Sequence, residues 1–419
     1  MAAEAAELLH PLGGHDHVAL AVSGGPDSMA LLRLVADWAR NNPKAPALTA
    51  LTVDHGLRAE SAAEAAQVAA WCDRIGIRHH ILTWDGEKPT SRIQERARDA
   101  RYNLMTAWCQ ANDASALVLA HQAEDQAETL LMRLARASGV DGLGGMAERA
   151  VRDGIVLLRP LLGVPRGRLM ATLQAFGQDH LDDPSNHDTR YERVRLRAAA
   201  PVLADLGLEP AALGETARKL ARAAAALDHA AEVAVTACTR VDNGGYAWID
   251  RDRLKEQPDE IRLRVLARVL HTVGGGGRLD DPALERLVEA LVSERFAGRT
   301  LGRCRILPGD GGVLVAREAR ELPRLTLAPG SDARWDSRFD VSLGTTEEPV
   351  ELAPLGARGF AEACRRDASL GRFPAAAGAV LPGGFRDGAL ALAPELHDTA
   401  PLSIREHGLA VRFVARMRC

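Results

Sequence analysis

Residues 20–32 read LAVSGGPDSMALL. An apolar run stops at Gly24 and Gly25, and apolar residues then return at helical spacing as Leu31, Leu34, Val35 and Trp38. A strand that feeds a helix through paired glycines lets backbone N–H groups approach a ligand and aims the positive helix end at an anion. Pro26 suits the first helical position, where its missing N–H is no loss. Ser23 and Ser28 add hydroxyl donors. Asp27 stands in the first turn, where an acid favours the helix dipole, but beside a polyphosphate it would be repelled unless Mg2+ lay between them. The commonest phosphate loop carries a lysine, and this one has none. From the glycines alone, an ordinary strand–helix turn accounts for the stretch as well as a phosphate cradle does.

The neighbouring sequence extends the same alternation. HVALAVS (17–23), ALTALTVDH (47–55), RHHILTW (78–84), SALVLAH (115–121) and GIVLLRPLL (154–162) read as strands. Amphipathic helical patterns over 61–76, 91–112 and 123–136 separate most of them. Repeated units of this length predict an α/β fold with a doubly wound parallel sheet and right-handed crossovers. Ligands of such sheets bind at the carboxyl ends of the strands, so the residues just after each strand carry the information. From about 165 the pattern becomes helical, with segments at 166–177, 190–207, 215–238 and 261–273. RTLGRCRILPGDGGVLVARE (299–318) reads as a β-hairpin turning at GDGG. The Gly- and Pro-rich remainder is either a small α+β domain or a loosely ordered tail. The expected boundaries are 1–205, 206–322 and 323–419.

A chain of 419 residues is too long for one ordinary core. Its 47% hydrophobic and 26% charged residues place it with globular proteins. No apolar run reaches the ~20 residues needed to span a bilayer, and the acidic N-terminus lacks a positive leader, so a cytoplasmic location is expected. The six cysteines are scattered without a CxxC pair, which fits neither a disulfide framework nor a zinc or iron–sulfur site. Of the 52 basic residues all but four are arginine, and the net charge of −4 does not mark a nucleic-acid binder. A binding face needs only a local excess, however. Residues 190–222 hold seven basic groups against four acids, a surplus that a solvated helix face explains nearly as well.

The strand–SGGxDS–helix pattern resembles the PP-loop ATP pyrophosphatases, which cleave ATP to AMP and pyrophosphate. On that resemblance the missing lysine has a reason: a Walker lysine serves γ-transfer, whereas here pyrophosphate leaves whole. Further stretches narrow the resemblance to the tRNA(Ile)-lysidine synthetases over roughly the first half of the chain. VDHGLR (53–58) resembles their second-strand motif, with Asp54 and His55 at a strand end. ERARDARY (95–102) resembles their E-x-A-R-x-x-R-Y helix, and LAHQAEDQAETLLMRLARASGVDGLGGM (119–146) is the most specific match. LDDPSNHDTRYERVRLR (181–197) resembles the element D-x-SN-x-D…Y-x-R-N-x-x-R, with Val194 in place of the Asn. Gln122 and Glu124 also depart from the family's usual His and Asp.

The spacing of His121, Asp125 and Glu128 predicts a shared helical face, and it is also metal-ligand spacing, which leaves a dedicated metal site as an alternative. The resemblance implies an ATP site at Ser23, Gly24, Gly25, Pro26, Asp27, Ser28, Asp54 and His55, with Mg2+ held by Asp27. It implies catalytic roles for Asp125, His121 and Asp27, and recognition of free lysine by Glu124, Asp125 and Glu128. Arg190, Arg193, Arg195 and Arg197 would contact the substrate, an isoleucine tRNA with a CAU anticodon. The implied domains are catalytic (1–205), tRNA-recognising (206–322) and a C-terminal tRNA contact (323–419). Another PP-loop tRNA-modifying enzyme such as a thiolase, or an ATP-sensing module without chemistry, are the alternatives. The sequence leaves open whether the chain forms a homodimer.

Overall fold

The computed structural model describes residues 2–56, 60–86, 93–182, 190, 192–293, 295–398 and 407–414. Leu57 and Arg58 of the VDHGLR motif lie outside these, as do 183–188 of the polar turn, Tyr191 and Cys419. The chain forms two compact units, Met1–Ala224 and Ala225–Cys419.

The first unit opens with α1 (Ala2–Leu9), followed by β1 (His17–Ala21), α2 (Pro26–Arg40), β2 (Ala47–Asp54), α3 (Ser61–Ile75) and β3 (Arg78–Thr83). Next come α4 (Ile93–Ala111), β4 (Ala116–Val118), α5 (Ala123–Leu134) and α6 (Val140–Leu143). A hairpin of β5 (Arg149–Arg152) and β6 (Ile155–Leu158) leads to α7 (Arg166–Phe176), α8 (Glu192–Asp205) and α9 (Pro210–Cys238), whose residues from Ala225 onward belong to the second unit. The spatial order is β3-β2-β1-β4-β6-β5, with every neighbouring pair parallel except β5–β6. The antiparallel β5 was not anticipated; it returns through Asp153 and Gly154, both at positive φ, as tight hairpins require.

Strand alternation sorts the side chains onto two faces. Val18 and Leu20 of β1 join a core with Met29, Leu31, Val68, Trp71, Leu169 and Leu173 from α2, α3 and α7. Ala19 turns to the opposite core, built on Tyr102, Met105 and Cys109 of α4. The chain steps outward from β1 to β2 and β3, then returns to lay β4 on the other side of β1. This reversal opens a crevice beyond the carboxyl ends of β1 and β4. SGGPDS follows β1, and His121 follows β4.

In the second unit, strands Thr239–Val241, Ala247–Asp250, Gly312–Arg317, Cys304–Gly309 and Arg299–Leu301 form one sheet in that spatial order. Helices Asp259–Gly274 and Asp281–Val292 share its core through Val265, Val269, Leu287 and Leu291. The hairpin expected at 299–318 is thus part of a larger antiparallel sheet, turning at Asp310 and Gly311. Beyond residue 322 the chain builds two four-stranded sheets and a helix, Gly356–Arg366, around Trp335, Phe339, Leu352 and Val411. Those residues take the α+β alternative.

Candidate active site

At the end of β1 the Val22 N–H still pairs with Leu51 C=O at 2.9 Å, which holds the next residues at the sheet edge. Gly24 then takes φ +84°, a conformation L side chains rarely adopt. A Cβ there would lie 2.5 Å from Leu181 Cδ1 and 2.8 Å from Val68 Cγ2. Gly25 is extended at the N-cap, and Pro26 occupies the first helical position as expected. The Ser28 hydroxyl accepts from Ser23 N–H at 3.2 Å and donates to Gly25 C=O at 2.9 Å, so it braces the loop. Thr52 Oγ1 donates to Val22 C=O at 2.7 Å and ties β2 to the same turn.

A cavity of about 480 Å3 opens above this loop. Ser23, Gly25, Pro26, Asp27, Ser28, His55, His121, Arg193 and Arg197 all line it, which brings together most of the residues singled out from the sequence. Asp54 sits beside it, accepting from Ser61 Oγ at 2.5 Å and from Gly56 N–H at 3.0 Å. Asp27 Oδ1 is buried without a hydrogen-bond partner among the described residues. Burial raises the Asp27 carboxyl above its ordinary pKa, with Arg166 pulling the other way. An oxygen ligand of this kind fits a hard divalent cation.

One expectation is corrected. His121 does not share a helical face with Asp125 and Glu128, because α5 starts only after it. Gln122 is extended (φ −130°, ψ −176°), and its side chain caps the helix by accepting from Glu124 N–H at 2.5 Å. Asp125 completes the capping box, accepting from Gln122 N–H at 3.3 Å. The departure at Gln122 is therefore a helix cap. His121 is left in the preceding turn with a buried Nδ1 that has no partner among the described residues. Burial pushes the His121 pKa down to about 3, and Arg159, Arg98, Arg193 and Arg101 add to the shift. This imidazole is neutral at physiological pH.

Glu124 is engaged at the start of α7. Both its oxygens accept from the Arg166 backbone N–H, at 3.2 and 3.0 Å. Asp125 and Glu128 face α8, where Arg197 Nε donates to Glu128 Oε1 at 2.6 Å and Arg197 Nη2 reaches Asp125 Oδ1 at 3.4 Å. Arg193 Nε lies 3.9 Å from Glu128 Oε2. Burial lifts the Glu128 carboxyl above its ordinary value, and Arg197 partly offsets it. The four arginines of α8 and its approach therefore divide. Arg193 and Arg197, one turn apart, point at acids, while Arg190 and Arg195 are exposed. Val194 lines the cavity where the resemblance expects an Asn. Among the described residues no group of three His, Cys, Asp or Glu is arranged to hold a metal.

Three lining arginines were not assigned from the sequence. Arg98 and Arg101 reach the cavity from α4, Arg98 lying over the Tyr102 ring at 5.4 Å. Their i, i+3, i+4 relation to Tyr102 was the available signal. Arg166 begins α7, and nothing in its local pattern marked it. Of the cysteines, Cys72 and Cys109 are buried in the first unit, and burial pushes their thiols up to about 12 and about 11.

Residues 1–203 match the PP-loop domain family ATP_bind_3. The tRNA(Ile)-lysidine synthase of Ruegeria pomeroyi is 42% identical over 343 residues, 81% of this chain and 80% of that relative. The chain belongs to the tRNA(Ile)-lysidine synthase family. Enzymes of the same name from Bradyrhizobium sp. and Methylobacterium sp. are 43% and 46% identical, over 78% and 77% of this chain and 94% and 91% of theirs. The family match and the parallel sheet agree with the α/β PP-loop fold expected from SGGPDS.

Proposed function

We propose that this chain ligates free lysine to C2 of the wobble cytidine of an isoleucine tRNA with a CAU anticodon. ATP adenylates the C2 oxygen of the base and pyrophosphate leaves. The lysine ε-amine then attacks C2 and displaces AMP. The observation that carries this reading is a phosphate cradle and a carboxylate-held arginine lining one cavity. A lysine-free phosphate cradle follows β1, and a buried carboxylate pair already holding a cation follows β4. The Arg197 guanidinium occupies the kind of place an alkylammonium would take between Asp125 and Glu128.

At pH 7 only about one lysine in 2,500 carries a neutral side-chain amine, a population cost of about 4.6 kcal/mol. A carboxylate in contact with the amine can orient it and take its proton as the bond to C2 forms, and Asp125 is assigned that role. His121, neutral and with a depressed pKa, is a poor proton acceptor and is assigned hydrogen bonding to substrate instead. Asp27 would hold Mg2+ through Oδ1, which has no hydrogen-bond partner among the described residues, and the ion would neutralise phosphate charge next to that carboxylate. Exposed Arg190 and Arg195 suit RNA phosphates, which position a nucleic acid without reading it. Residues 206–322 and 323–419 are assigned to tRNA recognition beyond the anticodon. No helix among the described residues is long and apolar enough to cross a membrane.

The test is incubation with ATP, radiolabelled lysine and total tRNA. Label on tRNA together with AMP release is expected, and Asp125→Asn should lose the label while retaining ATP binding. ATP binding without AMP release from any tRNA pool would replace the ligase with a nucleotide-sensing module.

A further inference from the structure

The phosphate loop lacks a lysine, yet its ligand, on the reading above, loses pyrophosphate and must have negative charge stabilised on the outer phosphates. We propose that Arg166 supplies that cation, binding the β- and γ-phosphates of ATP from the first turn of α7 and not from the loop itself. This assignment rests on the ATP-dependent reading of the site.

Several observations converge on this residue. Arg166 and Asp27 both line the cavity, each from the first turn of its helix, and α2 and α7 pack side by side. Arg166 Nε stands 4.0 Å from Asp27 Oδ1, attracted but beyond hydrogen-bond distance. Its side chain is 42% exposed, so it can turn toward a ligand at the cavity mouth. Of the other lining arginines, Arg193 and Arg197 are paired with Glu128 and Asp125 when no ligand is bound, Arg98 lies over Tyr102, and Arg101 enters from α4 beside it, whereas Arg166 stands next to the loop's own Asp27.

The backbone beneath Arg166 is fixed. Its N-cap, Pro165, makes no side-chain cap, and the first turn of α7 contains no acid. Glu124 supplies both missing elements from α5 by accepting the Arg166 N–H with its two oxygens. A carboxylate thereby anchors the backbone of the residue proposed to stand in for the loop's missing lysine. Glu124 is a positioning residue in this arrangement, and the guanidinium is the ligand-binding group. A guanidinium also presents a planar fork that can bond two phosphate oxygens at once, which a lysine cannot.

Equilibrium binding of ATP and of AMP to the full chain separates the outer phosphates from the rest of the nucleotide. Arg166→Gln should weaken ATP binding about 10- to 100-fold and leave AMP binding within about twofold, while Arg166→Lys, which keeps the charge but not the fork, recovers only part of the loss. Equal losses for ATP and AMP, or no loss for either, would overturn the assignment. Wild-type protein that binds ATP through Arg166 but incorporates no lysine into tRNA would instead overturn the ligase reading and leave this one standing.

Discussion

Arg197→Met tests whether the carboxylate pair of α5 is held by charge. The guanidinium is 2.6 Å from Glu128 Oε1 and 3.4 Å from Asp125 Oδ1. The two carboxylates are only 7% and 12% exposed, and Arg197 itself is 34% exposed. Removing one partner of a fully buried pair costs about 3–5 kcal/mol, because the remaining charge is left uncompensated. Solvent at the exposed third of Arg197 screens part of this, leaving about 2 kcal/mol. For a unit of this size, ending at Ala224, that corresponds to a drop of about 4–8 °C in Tm. The pH dependence separates charge from packing. Burial already places the folded-state Glu128 pKa above its ordinary 4.5, and losing Arg197 raises it further. A carboxyl with a raised folded pKa favours the folded state below its unfolded pKa, and that contribution is lost as pH rises through the folded value. Wild type and variant should therefore melt close together near pH 4.5 and diverge above it, reaching the full gap by pH 8. Differential scanning calorimetry at both pH values measures this. An equal gap at pH 4.5 and pH 8 would show that Arg197 acts through packing, and would refute the electrostatic account.

Other outcomes follow from the same geometry. Because the His121 pKa is near 3, the pH–rate profile should lack an inflection from this residue between pH 5 and 8; a limb near 6.5 that vanishes in His121→Gln would contradict the neutral-imidazole assignment. Gly24→Ala places a Cβ 2.5 Å from Leu181 Cδ1 at φ +84°, so it should cost about 1–3 kcal/mol of stability and weaken ATP binding; unchanged melting and ATP affinity would mean the loop is not constrained as described. Asp27→Asn should flatten the Mg2+ dependence of ATP binding, which a magnesium titration at fixed ATP reads directly. Arg195→Ala should reduce the salt slope of tRNA binding by about one, and a slope matching wild type would remove this arginine from the RNA surface.

The sheet was legible because its strands are apolar runs of ordinary length, each followed by a helix of matching period. HVALAVS and ALTALTVDH yielded β1 and β2 to within two residues at each end. β4 shrank to Ala116–Val118 because Ala120 and His121 already turn into the crevice and Gln122 begins the cap of α5. Spacing alone could not show this. A period of i, i+4, i+7 presumes that all three residues are helical, and here the first is not. The role of Glu124 was equally hidden, since its partner is a backbone N–H 42 positions away.

The cations of the site were the least legible part, for a reason tied to the missing lysine. When one loop carries both its glycines and its cation, a single motif reports the whole site. Here the five lining arginines come from α4, α7 and the segment of α8, at positions 98, 101, 166, 193 and 197. In the sequence each looks like the polar face of an ordinary helix, and only the fold makes them converge. The same dispersal explains why acids accumulate beside them: without ligand, arginines grouped around one cavity repel one another. Glu128 and Asp125 oppose two of these charges directly, and Asp27 stands near a third. A triphosphate entering the cavity competes with these carboxylates for the same guanidinium groups. ATP affinity should therefore rise when Glu128 is neutralised by Glu128→Gln, provided that the fold is retained. Calorimetric titration of that variant with ATP would measure this, and an affinity equal to or below wild type would show that the acid–arginine pairs do not compete with the nucleotide.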